Sequence, residues 1–418
     1  MRDPPVTTVS FPARPNRLSS ASEDIESGML TSMAQDDSSN RDDVNRVLEI
    51  RRASIGEAEV HEEPFSALED GQIRLRIDRF AVTANNVSYA GAGDLLGYWD
   101  FFPSSDPTTW GRVPAVGYAE ITESRNADLP VGGRYHGWFP MAETVTFTAT
   151  ATRDGFRDDG AHRQAHAPIY RSYTRTDLDP LHDDAPDGED RHALLRVLLL
   201  TGFLADEFFA DSGGATADGA PAFFGAEQVI VLSASSKTAI GFSQRAAKRD
   251  GLAVVGLTSS ANAEFVRSLG FSDSVVTYDR IDDPDTGIAL VDSVVIDMAG
   301  NPNVLAAVHQ RLGDRIKHSM MIGRSHHDAV ATAAPAAVPG PAPQFFFAPT
   351  ELDRLVEAWG ADEYRRRTAD ATHEFIEASR AWMTIDERRG PDGPASAWAS
   401  IYGGEVTPDV GVIASFHP

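Results

Sequence analysis

Six residues between an apolar run and a helix-forming run carry most of the chemistry legible in this chain: Ser233-Ala234-Ser235-Ser236-Lys237-Thr238, after the apolar 229–232. A strand that turns tightly into a helix presents free backbone N–H groups and the positive end of a helix dipole to an anion. Three of these hydroxyls (Ser235, Ser236, Thr238) and the Lys237 ammonium add side-chain donors, so the expected ligand group is a phosphate. The serine at 236 cuts both ways, because a side chain where backbone should approach a diphosphate can also obstruct it. Lys237 is one of three lysines, with Lys248 and Lys317, so a lysine in this turn stands out. A P-loop is excluded, since Val231 and Ser236 occupy its two glycine sites.

The next apolar run ends in Gly256-Leu257-Thr258-Ser259-Ser260, with no Asp or Glu. An acid there would bind a ribose 2′-hydroxyl and repel a 2′-phosphate. Its absence favours NADPH over NADH, with Ser259 on the 2′-phosphate side. Ser259 and Ser260 equally suit capping of the following helix.

The elements that position these residues form a repeating pattern. Strands are expected at 229–232, 253–257, 274–277, 293–296 and 316–322, separated by helices at 238–249, 261–269 and from Pro302. Strands alternating with helices of this length predict an α/β fold with a Rossmann-type, doubly wound parallel sheet over 210–330. Upstream, 72–82 alternates cleanly, and glycine-punctuated strands at 113–121, 132–138 and 144–150 predict a β-barrel domain over 44–209. The stretch 151–191, dense in Asp, Arg and His, is expected as an inserted loop or lid. The segment 331–418 is expected to complete the barrel domain, and residues 1–43 to be disordered.

The order of these parts resembles the medium-chain dehydrogenase/reductase superfamily, in its zinc-free quinone oxidoreductase and enoyl reductase branches. Thr83-Ala84-Asn85-Asn86-Val87-Ser88-Tyr89 is similar to the family segment with an asparagine and a nearby tyrosine at the mouth of the catalytic cleft. Pro114-Ala115-Val116-Gly117-Tyr118-Ala119, Gly132-Gly133-Arg134-Tyr135 and Thr201-Gly202-Phe203 resemble further family segments. Asp297-Met298-Ala299-Gly300 and Ile322-Gly323 resemble strand ends that line the nicotinamide. The resemblance implies a GroES-like β-barrel catalytic domain and hydride transfer from NADPH to an activated alkene, quinone or carbonyl, including an acyl thioester. It implies Tyr89 and Asn85 as the catalytic pair, and Met298, Ala299, Gly300 and Gly323 along the nicotinamide. Hydride addition leaves an enolate that needs a donor, which a neutral phenol supplies. The chain departs from the family in its fingerprint, where Ala234, Ser236 and Ala239 replace every glycine. A relative that has lost the dinucleotide, and binds an acyl thioester or serves as a scaffold, is the alternative.

Composition narrows the partners. The 37 basic and 62 acidic residues give a formal charge of -25, which disfavours nucleic acid and anionic membranes. Without cysteine there is no disulfide, thiol catalysis or cysteine-ligated metal. The pair His162 and His166 and the pair His326 and His327 match no metal-ligand pattern, so no metal is expected. The expected protein is a cytoplasmic enzyme acting on a small-molecule substrate; homodimers are common in the resembled family.

Overall fold

The computed structural model describes residues 44–298, 301–322 and 338–418. The segment 1–43 and three expected site residues, Ala299, Gly300 and Gly323, lie outside the described residues, as do His326 and His327.

The described chain opens with an antiparallel pair, β1 (Val44–Arg51) and β2 (Ala58–Pro64), followed by β3 (Gln72–Val82). In β3, Ile73, Leu75 and Ile77 alternate inward until a bulge between Ile77 and Arg79 shifts the phase and buries Phe80 and Val82. Helices α1 (Ala84–Gly91) and α2 (Gly93–Leu96) come directly off its end. Then follow β4 (Trp110–Gly111), β5 (Pro114–Ser124), β6 (Gly132–Pro140), β7 (Thr144–Thr152), β8 (Gly155–Asp158) and β9 (Ser172–Arg175). The order β3-β5-β6-β9-β8-β7 returns to β3 through a β3–β7 pairing, closing a six-stranded GroES-like barrel. Tyr135, Phe139, Phe147, Phe156 and Tyr173 fill it, the last two stacked at 4.5 Å.

The segment 151–191 was expected as an inserted lid, and here the structure differs: it supplies β8 and β9, two of the six barrel strands. Its polarity hid them because its charges neutralise one another inside. The fully buried Arg163 meets Asp158 at 3.1 Å and lies over the rings of Phe101 and Phe102.

The long helix α3 (Gly188–Ala210) leads out of the barrel. The α/β unit then runs β10 (Gln228–Leu232), α4 (Lys237–Ala246), β11 (Ala253–Thr258), α5 (Ala263–Leu269), β12 (Ser274–Thr277), β13 (Ser293–Asp297), α6 (Pro302–Leu312), β14 (Ile316–Met321) and β15 (Gln344–Phe345). All six strands are parallel, in the order β12-β11-β10-β13-β14-β15. In chain order that is 3-2-1-4-5-6, the dinucleotide-fold order, whose direction reverses between β10 and β13. Every residue of β10 is buried, as a central parallel strand covered on both faces requires. At Gly202, α3 crosses α4 so closely that a Cβ would stand 2.9 Å from Thr238 O and Phe242 N.

The last segment divides. β15 still pairs with β14, and α7 (Ala348–Trp359) and α8 (Ala361–Ser379) pack on α3, with Phe346 and Leu355 buried in the core beneath the parallel sheet. The return to the barrel begins at β16 (Thr384–Arg388), later than the expected 331. After α9 (Gly393–Tyr402), β17 (Val410–Ala414) pairs antiparallel with β3 and parallel with β16.

Candidate functional site

Two groups of side chains make up the candidate site, one between the barrel and α3, the other at the carboxyl end of β10. The first comes from α1. Asn86 is buried and structural: its Oδ1 accepts from Thr83 N at 2.7 Å and its Nδ2 donates to Pro114 O at 2.9 Å, fixing the helix on β5. That anchor turns Asn85 and Tyr89, one helical turn apart, toward a narrow cleft of about 20 Å³. Thr83, Val116 and Trp138 line it from the barrel, and Leu194, Val197 and Leu198 of α3 face them.

The Tyr89 ring lies against Tyr98 at 4.5 Å, tilted by 31°, and meets Trp138 at 5.8 Å. Burial, and secondarily the nearby Tyr170, hold its phenol well above the usual range, while a hydrogen bond from Asn85 partly opposes them. The hydroxyl is therefore neutral at physiological pH, with Asn85 on its oxygen and its proton available to donate. Tyr98 is likewise held neutral by burial and donates to Tyr170. Arg163 donates to the backbone carbonyls of Phe101 (3.1 Å) and Tyr170, tying the 159–171 loop to this aromatic enclosure.

The second group is the turn between β10 and α4. Ser233, a non-glycine residue at φ 57°, takes the left-handed conformation the turn demands, and the Tyr278 hydroxyl bonds its side chain and backbone. Ala234 stands at the first fingerprint glycine, and the space it needs comes from Gly256 of β11, where a Cβ would lie 3.0 Å from that of Ala234. Ser235 turns sideways: its Oγ accepts from Asn262 Nδ2 at 3.1 Å and from Thr258 Oγ1 at 3.3 Å. Ser236 caps α4, its Oγ accepting from Ala239 N.

Lys237 takes a place the sequence did not suggest. Its Nζ donates to Val410 O at 2.8 Å and Pro408 O at 3.2 Å, so the ammonium expected at a phosphate clasps the start of β17. The physical reason is proximity: β17 lies beside β3, and its leading loop reaches the N-terminus of α4. Burial pulls the Lys237 pKa down to about 8, the Asp409 charge partly opposing. The backbone amides of Lys237 and Thr238 and the Thr238 hydroxyl have no acceptor among the described residues, so this helix start keeps an open donor set for an anion.

Beyond β11, no acid follows Thr258, and the Ser259 hydroxyl makes no cap bond to the ensuing turn. Met298 directly follows β13, whose last residue, the buried Asp297, pairs in register with Leu232 of β10. Residue reasoning missed Tyr278, Asn262 and Tyr170. Tyr278, an aromatic residue immediately after β12 at the sheet's carboxyl edge, carried a readable signal; Tyr170, inside a polar loop, did not. Among the described residues, no group of three or more His, Asp or Glu is placed to hold a metal, and no helix is long and apolar enough to cross a membrane.

The open donors at 237 and 238 fit an anionic group such as a phosphate, while the side chains of Ser235, Ser236 and Lys237 are committed to other partners. The same architecture recurs in solved structures. CurA from Vibrio vulnificus in complex with NADPH is 10% identical, covers 89% of this chain and 99% of its own, and has a TM-score of 0.53. A candidate NADPH:quinone reductase from Mesorhizobium loti is 12% identical, with 90% and 99% coverage and a TM-score of 0.51. These likenesses establish the fold. No curated protein matches the chain in sequence. Residues 80–407 match the family described as "Protein of unknown function (DUF2855)". The chain belongs to that family, and its fold is that of the medium-chain dehydrogenases/reductases.

Proposed function

We propose that this protein is a zinc-independent, NADPH-dependent reductase that delivers hydride to an activated alkene, quinone or carbonyl of a small molecule, an acyl thioester included. The observation that carries the reading is the cleft that Asn85 and Tyr89 of α1 share with α3, in a chain whose parallel sheet has the 3-2-1-4-5-6 order. The Lys237 and Thr238 amides and the Thr238 hydroxyl would hold the diphosphate, Ser259 the 2′-phosphate side, and Met298 the nicotinamide edge. The bound cofactor supplies hydride chemistry.

What the chain's own groups do follows from their states. Tyr89 holds a proton on a phenol that burial keeps neutral, and Asn85 orients its oxygen. Trp138, Leu194, Val197 and Leu198 exclude water, which strengthens a hydrogen bond to developing enolate or alkoxide charge. The apparatus suits donation, because a phenol this hard to ionise is a poor base. A cytoplasmic location and a homodimer are part of the same reading.

Purified protein supplied with NADPH and a panel of quinones, enones and enoyl thioesters should oxidise the nicotinamide with at least one class, followed by loss of its absorbance. Tyr89→Phe should lower kcat about 10²-fold, the contribution of one positioned acid, with a smaller effect on KM. Unchanged turnover in that variant would remove Tyr89 from the chemistry.

A further inference from the structure

The barrel carries a second concavity, at the end remote from the cleft. Trp138 lines the cleft and Gly133 the far cavity, five residues apart on β6, or roughly 17 Å of strand. The far cavity encloses about 270 Å³ against about 20 Å³ in the cleft. That is room for roughly nine waters, or a small organic molecule. It is formed where β6 begins, β7 ends, β8 begins and β9 ends.

Its floor is built. Tyr135 is 4% exposed, its ring packed edge-on against Phe156 at 5.0 Å inside the barrel. The hydroxyl has no hydrogen-bond partner among the described residues and is not fully buried, so it is open to a ligand in the cavity that Tyr135 lines. Arg175 is its cross-strand partner, and the guanidinium charge acts directly on the phenol. Arg175 Nε is taken by Asp177 at 2.8 Å, and a guanidinium has four further N–H donors. Arg153, with a side chain 90% exposed, stands at the rim. Leu129, Val131 and Leu178 supply apolar wall; Val131 and Leu178 are exposed, at 63% and 50%.

We infer that this cavity binds a small carboxylate with an apolar body, its head on the Arg175 guanidinium and the Tyr135 hydroxyl, its body against Leu129, Val131 and Leu178. Two arginines line the cavity, each ion-paired at one nitrogen, Arg175 with Asp177 and Arg153 with Asp154, so what it offers an anion is their remaining N–H groups and not a net positive charge. A carboxylate satisfies both a guanidinium and a phenolic donor, and the buried Leu129 with the exposed Val131 and Leu178 gives its body apolar contact. The site stands independently of the redox reading, since it shares no residue with the cleft.

Ligand-observed NMR on the full chain tests this with three probes: benzoate, inorganic phosphate and benzyl alcohol. Benzoate should show saturable binding, while phosphate, which lacks the body, and benzyl alcohol, which lacks the charge, should bind at least about tenfold more weakly. Arg175→Gln and Tyr135→Phe should each weaken benzoate about tenfold, and the rim variant Arg153→Gln less. Because Arg175 and Arg153 are substantially exposed, their variants fold even if Tyr135→Phe does not. Saturating NADPH should leave benzoate binding unchanged. Benzoate binding that is absent, equalled by phosphate, indifferent to Arg175→Gln or displaced by NADPH overturns the inference.

Discussion

At the residue scale, Lys237 shows how a side chain legible as chemistry can be claimed by architecture. Its sequence position, first in a helix after a tight turn, is that of a phosphate ligand, yet its ammonium closes on the carbonyls of Pro408 and Val410. Those acceptors lie more than 170 positions away, and local sequence carries no trace of them. The consequence is measurable through proton linkage. The folded state gives up the Lys237 proton near pH 8, whereas the unfolded chain keeps it to about 10.5. In that window the unfolded state binds more protons, so this residue's contribution to stability rises with pH. Denaturant midpoints should show wild type gaining on Lys237→Met from pH 8 to about 10.5; a constant difference would mean the ammonium is not desolvated. The turn's own hydroxyls follow the same rule: Ser236 caps and Ser235 braces Asn262, both from positions the sequence marked, in roles it left open.

Elements were more legible than side-chain partners, because hydrophobic periodicity is written locally. The strands of the parallel sheet and their intervening helices lie within a few residues of where the pattern puts them, and Pro302 does begin α6. β8 and β9 escaped because Asp158, the last residue of β8, and Arg163 in the loop between them are buried as a pair, and a buried ion pair reads as surface in a linear pattern. The return to the barrel was misplaced because β15 is two residues long, too short to carry a period. The α3–α4 crossing is the joint on which cleft geometry depends, since α3 supplies Leu194, Val197 and Leu198 to one wall. Gly202→Val would drive side-chain atoms into the α4 backbone, which cannot yield as a side chain would. We expect a loss of about 2 kcal/mol or more in chemical denaturation, with weaker cofactor binding as α4 is pushed aside. A variant as stable as wild type would show that the helices can separate.

For the whole molecule, several imidazoles that line neither the cleft nor the far cavity are held neutral by burial. His192, 1% exposed, is pulled down to about 4 by burial and by Arg196, and His318, packed among Phe208, Phe209 and Phe224, to about 4 by burial alone. Their folded pKa values lie below the ordinary 6.5, so the unfolded state takes up protons first as pH falls. Stability is then full above about 6.5 and lost progressively toward 4, each imidazole contributing up to about 1.4 kcal/mol per pH unit. His318→Phe should flatten that acid limb in a thermal or denaturant series, and an unaltered slope would place the acid sensitivity elsewhere.

The account rests on the helix start at Lys237 and Thr238 receiving a dinucleotide without a single fingerprint glycine. Titration of the full chain with NADPH and with NADH, read by nicotinamide fluorescence at low and moderate salt, addresses that directly. Saturable binding is predicted, with NADPH about tenfold tighter than NADH, because no acid after β11 opposes the 2′-phosphate. Failure of both nucleotides to bind at low salt, where anion affinity is greatest, would contradict it and leave a dinucleotide fold without its ligand.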